Sequence, residues 1–113
     1  MILVTTDSVP GREVVEVLGL VRGNTVRSRH LGRDISASFK RLVGGEIEEY
    51  TKLMAEAREQ ALDRLLAEAR ASGADAVVGL RFASTEITSG AAEVLVYGTA
   101  VVLARPAATS PPL

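Results

Sequence analysis

The sequence predicts an α+β domain, with two strands, two helices and two further strands in that order (β-β-α-α-β-β) and both helices on one face of a mixed or antiparallel sheet. Three observations predict it. A long amphipathic stretch runs from about Glu46 to Ser72, β-branched runs lie on either side of it, and glycine or Ser-Gly pairs mark the joints between them.

Ile2 to Thr6 is short and β-branched and reads as the first strand, ended by the turn-forming Asp7-Ser8-Val9-Pro10-Gly11. Glu13 to Val26 carries too many β-branched residues and glycines for a helix. It reads as a long strand bent at Gly19 and Gly23, central in the sheet and joined to the first strand by a hairpin. Asp34 offers an N-cap for a short helix, Ile35 to Val43, with Ile35, Phe39 and Leu42 or Val43 on one side. Gly44-Gly45 then allows the long helix to turn back against it. After the long helix, Ala76 to Ala83 is apolar at both parities, the mark of a strand covered on each face. The polar stretch Ser84 to Glu93, with Ser89-Gly90 at its centre, reads as the link to a last strand, Val94 to Leu103. Residues 1–104 make a single domain, and 105–113 form a proline-rich tail.

On a helical wheel Ile47, Tyr50, Met54, Ala57, Ala61, Leu62, Leu65 and Ala69 share one arc, so one face is made for burial. Glu46, Glu48 and Glu49 in the first turns and Arg70 in the last suit the helix dipole, and Ser72-Gly73 supplies the stop. Arg58 is the exception, placed inside the apolar arc between Met54 and Leu62. A guanidinium there needs a route to water or a carboxylate such as Asp34, Glu46 or Asp75; otherwise it marks an anion site or a subunit contact. Gly79 and Gly98 stand within strands, where close approach of the helix or another backbone explains glycine better than a phosphate loop does.

Composition narrows the classes of function. Of 113 residues 47% are hydrophobic, and 13 basic residues nearly cancel 14 acidic ones, which removes the electrostatic footprint of a nucleic-acid binder. The N-terminal apolar run is too short for a signal or a membrane span. Without cysteine there is no disulfide framework or thiolate site, in keeping with a cytoplasmic protein. No Ser-His-Asp set can be argued around the lone His30. A sheet apolar on both faces, with helices for only one, leaves a surface to be covered by further copies of the chain.

The chain also resembles the YbjQ-like family over residues 1 to about 104. The resemblance rests on Asp34-Ile35-Ser36-Ala37-Ser38, Val43-Gly44-Gly45-Glu46, Tyr50, Ala57-Arg58-Glu59-Gln60-Ala61, Gly73 to Gly79 and Gly98-Thr99-Ala100-Val101. It implies the same β-β-α-α-β-β subunit, a ring of five such subunits, no established reaction, and a heavy-metal-binding label. Soft metals prefer thiolate, thioether or imidazole ligands. This chain offers two methionines and one histidine, and no cofactor is otherwise evident. His30, Glu46 and Glu49 are the metal-ligand candidates, the two carboxylates lying one turn apart.

Three classes of function remain. The first is a non-enzymatic homo-oligomer that binds a small ligand or ion between subunits, with Arg41, Arg58 and Arg81 as anion contacts and Glu46, Tyr50 and Asp34 as polar partners. The second is an enzyme of unknown reaction, which requires interface carboxylates such as Glu46 or Asp34 to converge on Arg58. The third is a purely structural ring.

Overall fold

The computed structural model describes residues 1–28, 45–88 and 90–106, with residues 45–49 described by backbone alone. Four strands and one helix make up the described chain: β1 (Ile2–Leu3), β2 (Val14–Ser28), α1 (Gly45–Ala71), β3 (Ala76–Thr88) and β4 (Ala91–Leu103). The short helix expected over Ile35 to Val43 lies outside the described residues.

The strands form one mixed sheet in the order β1-β3-β4-β2. β1 runs parallel to β3, while β4 pairs antiparallel with β3 on one side and β2 on the other. The expected hairpin between the first two strands therefore does not form, and β2 is an edge strand rather than a central one. Two features explain this. The ten residues from Val4 to Glu13 reach roughly 33 Å when extended, ample to cross three strand spacings of about 4.8 Å. Burial along β2 alternates from Val21 to Val26, the pattern of a strand covered on one face, whereas β4 is buried along most of its length. The crossing segment is pinned at its far end, where the Ala104 amide donates to the Glu13 carbonyl (2.7 Å) and Arg12 donates from Nε and Nη2 to the Ala104 carbonyl (3.1 and 3.0 Å).

α1 packs across β2 and β4. Its buried stripe is Ala57, Ala61, Leu65 and Ala69, set against Val21, Val77, Leu80, Val94, Val96 and Ala100. Small residues along that stripe bring the two backbones close. A β-carbon on Gly23 would overlap the Ala61 carbonyl oxygen, so only glycine fits under the helix there. Gly98 has the close approach expected of it: a β-carbon would lie 2.6 Å from Val77 Cγ1 and 3.0 Å from the Val78 carbonyl oxygen. The helix stops where Ser72-Gly73 predicts. The Gly73 amide donates to the Arg70 carbonyl and the Ala74 amide to the Ala69 carbonyl, at 3.0 and 3.1 Å.

Strands β3 and β4 are longer than the sequence pattern suggests. Ser84 to Glu93, expected as a polar link, continues the ladder, with Ser84 opposite Val94 and Thr85 opposite Glu93. Its polarity reports exposure instead of a loop: every residue from Arg81 to Thr88 is exposed. Thr85, Ile87 and Thr88 are β-branched and suit a strand.

Candidate functional site

The face of the sheet turned away from α1 follows from register. Val94, Val96 and Ala100 pack in the core with α1, so Leu95, Tyr97, Thr99, Val101 and Leu103 project from the opposite side of β4. Directly opposite them stand Val14, Val17, Leu20, Arg22 and Asn24 on β2, with Val26 next along the same face, and Ala76, Val78 and Arg81 on β3. One end of this face is sheltered, since Ile2, Val4, Val9 and Val14 cover Ala76, Val78, Val101 and Leu103. The rest is open, with large apolar residues among the exposed Arg22, Asn24 and Arg81: Val17 is 65% exposed, Leu20 63%, Val26 55% and Tyr97 38%.

A depression of about 370 Å³ lies where the sheltered and open parts meet, lined by Asp7, Val14, Val17, Val78, Gly79, Thr99 and Val101. Two bulges make it. On β2 the three steps from Val17 to Leu20 span what two steps on β4 cover between Val101 and Thr99. On β3 the three steps from Val78 to Arg81 face the two steps from Thr99 to Tyr97. Gly19 (φ 109°) and Gly79 (φ 61°) take the left-handed conformations that the bulges need. Both outer strands thus break step beside Thr99. Gly79 has open space where a β-carbon would go, so its expected close contact is replaced by a backbone requirement.

The sequence-derived candidates do not gather at one point. Arg81 belongs to the open face, and its Nη1 donates to the Thr5 carbonyl (2.7 Å) and to the Leu80 carbonyl (2.8 Å). Arg58 is exposed on α1, across the sheet from Arg81. Its expected place in the buried arc fails because the stripe follows i, i+4 and drifts about 40° per step; at Ala57 it points roughly a quarter turn away from Arg58. Asp75 is not the partner of Arg58, since its Oδ2 accepts from the Leu103 amide at 2.9 Å. Tyr50 is half-buried near the start of α1. Asp34, Arg41 and His30 lie outside the described residues, as do the side chains of Glu46 and Glu49.

A second groove of about 500 Å³, between α1 and β2, is lined by Arg27, Ala55, Glu56, Glu59, Gln60 and Asp63. Arg27 Nη2 donates to Gln60 Oε1 across it (2.6 Å), and Arg64 Nη1 donates to the Asn24 carbonyl of the same edge strand. Sequence reasoning passed over both depressions. Glycines inside strands were the one signal for the first, and only the register of three strands reveals that the bulges coincide.

Residues 1–104 match the model of the YbjQ family, described as "Putative heavy-metal-binding". The chain belongs to this family. Curated relatives include a "UPF0145 protein" of Thermotoga maritima, 58% identical over 93% of this chain and 99% of that one. Another, from Thermosipho melanesiensis, is 57% identical over 91% of this chain and 95% of its own, and one from Archaeoglobus fulgidus is 56% identical over 91% and 95%. Among solved structures, a protein of unknown function from Pediococcus pentosaceus, assigned to the DUF74 family, shares the fold with a TM-score of 0.57 at 17% identity. That match covers 92% of this chain and 98% of the other.

The metal-ligand candidates His30, Glu46 and Glu49 fall outside the side chains the structure describes, so the family's metal label can be matched only against the remaining residues. Among the described residues no three His, Cys, Asp or Glu side chains are grouped to hold an ion. The chain has no cysteine to offer a soft metal. Among the described residues no helix is long and apolar enough to cross a membrane.

Proposed function

We propose that this YbjQ-family chain is a non-enzymatic binding module that works as a homo-oligomer in the cytoplasm, holding a small ligand or ion where subunits meet. The observation that carries the reading is the open sheet face. Val17, Leu20, Val26 and Tyr97 are large apolar residues left exposed on this face, interspersed with Arg22, Asn24 and Arg81. The sheet edge adds to it, because β1 pairs only with the start of β3, and Phe82 to Thr88 has no partner on that side among the described residues. Five copies is the number that the family resemblance implies.

The placement of the arginines supports sites between copies. Arg58 and Arg81 stand on opposite sides of one protomer's sheet, so a pocket using both needs a neighbour to supply one of them. The same separation counts against an enzyme built within a single copy, while a purely structural ring would need no concave polar site. Light scattering or sedimentation at micromolar concentration tests the assembly: the expected mass is near five times 11.9 kDa. A monomer overturns the reading. Calorimetric titration with zinc, copper and cadmium is expected to give no saturable heat, leaving an organic ligand or a hard ion as the occupant.

A further inference from the structure

We infer that the depression beside Thr99 is a binding site for a small organic cation, an alkylammonium whose apolar stem lies among the valines and whose head meets Asp7. The site lies within one protomer, so the inference goes beyond the proposed function and does not depend on it.

Four observations combine. The walls, Val14, Val17, Val78 and Val101, are aliphatic on every strand that contributes to them. Asp7 is the one charged residue in the lining, and it has no ion-pair or hydrogen-bond partner among the described residues. Arg81, the nearest cation in the ladder, is turned to the Thr5 and Leu80 carbonyls and does not line the depression. Thr99 stands between the two bulges as the polar group on the floor, and Thr6 Oγ1 donates to the Ser8 carbonyl (2.6 Å), fixing the turn that carries Asp7.

The lining selects by charge and by shape. An anion would meet a carboxylate and no cation among the lining residues. A metal ion would find one carboxylate and one hydroxyl, short of the six or more oxygens of a calcium site. A primary ammonium brings three donors for the Asp7 carboxylate and Thr99 Oγ1, and its alkyl stem removes valine surface from water. The size suits a short chain, since about 370 Å³ is at the low end for ligand pockets.

Methyl NMR of the full chain, titrated with n-butylammonium chloride and in parallel with n-butanol and sodium butyrate, tests the inference. The expected result is saturable shifts of the Val17, Val78 and Val101 methyls with the ammonium, weaker shifts with the alcohol and none with the carboxylate. Asp7 is exposed, so Asp7→Asn is expected to weaken the ammonium response about two- to fivefold, and Thr99→Val to weaken it less, both with an unchanged thermal midpoint. An unsaturable response, an equal response to butanol, or an Asp7→Asn protein that binds as well as the parent overturns it. Light scattering on the same samples separates the two proposals. A monomer that binds the ammonium removes the assembly alone, and an assembled chain that ignores it removes this site alone.

Discussion

Gly23 of β2 lies directly beneath Ala61 of α1, so close that a β-carbon on the glycine would collide with main-chain atoms of the helix. The obstruction is the Ala61 carbonyl oxygen and the Leu65 amide nitrogen, neither of which can rotate away. Gly23→Ala is therefore expected to cost about 1–3 kcal/mol, toward the upper end because the backbone has to move. Urea denaturation checks it, and a loss under about 0.5 kcal/mol would mean that the helix rides higher over β2 than described.

Thr25, two residues along the same face, is 3% exposed, and its hydroxyl has no hydrogen-bond partner among the described residues. Burying that oxygen unpaired weakens the fold, and valine has nearly the same shape. Thr25→Val is expected to raise stability by about 1 kcal/mol. A destabilised valine variant, measured by thermal or denaturant melts, would show that the hydroxyl has a partner in solution.

Arg58 is exposed on α1 and has no hydrogen bond or ion pair among the described residues. Arg58→Met is expected to leave folding stability within about 0.5 kcal/mol. A larger loss in denaturant melts would restore the paired, structural role that the helical wheel suggests for it.

Leu20 sits in the middle of the open face at 63% exposure. Leu20→Glu should be neutral for a lone protomer, yet it places a charge in any contact made through this face, where an unpaired buried charge costs several kcal/mol. The expected outcome is a fall in sedimentation mass with circular dichroism unchanged. An assembly of full mass would move the subunit contact elsewhere.

Much of this architecture is legible from residue pattern. The helix expected over Glu46–Ser72 forms over Gly45–Ala71, because the alanine-leucine stripe and the Ser72-Gly73 stop are local signals that tertiary contacts reinforce. What pattern does not carry is which strand pairs with which. Ile2–Leu3 and Val14–Ser28 are adjacent in sequence, yet they occupy opposite edges, a choice made by the partners that arrive later in the chain. The depression beside Thr99 was hidden for the same reason: Gly19 and Gly79 are 60 residues apart, and only the ladders to β4 bring their bulges level. Arg58 shows a finer limit. A wheel assumes a straight seam, and the real seam winds around the helix by i, i+4 steps.

The order of the strands also bears on how the chain is made. Neither segment synthesised first can form its hydrogen-bonded ladder until the last third of the molecule exists, because β1 waits for residue 76 and β2 for residues 91 to 103. A nascent chain therefore carries its two earliest strands unpaired through most of translation, the situation in which slow, long-range closure leaves apolar segments open to unwanted partners. Ribosome-bound chains halted before Ala91 should be digested readily by protease, and resistance should appear abruptly once a C-terminal linker is long enough to carry Leu103 out of the exit tunnel.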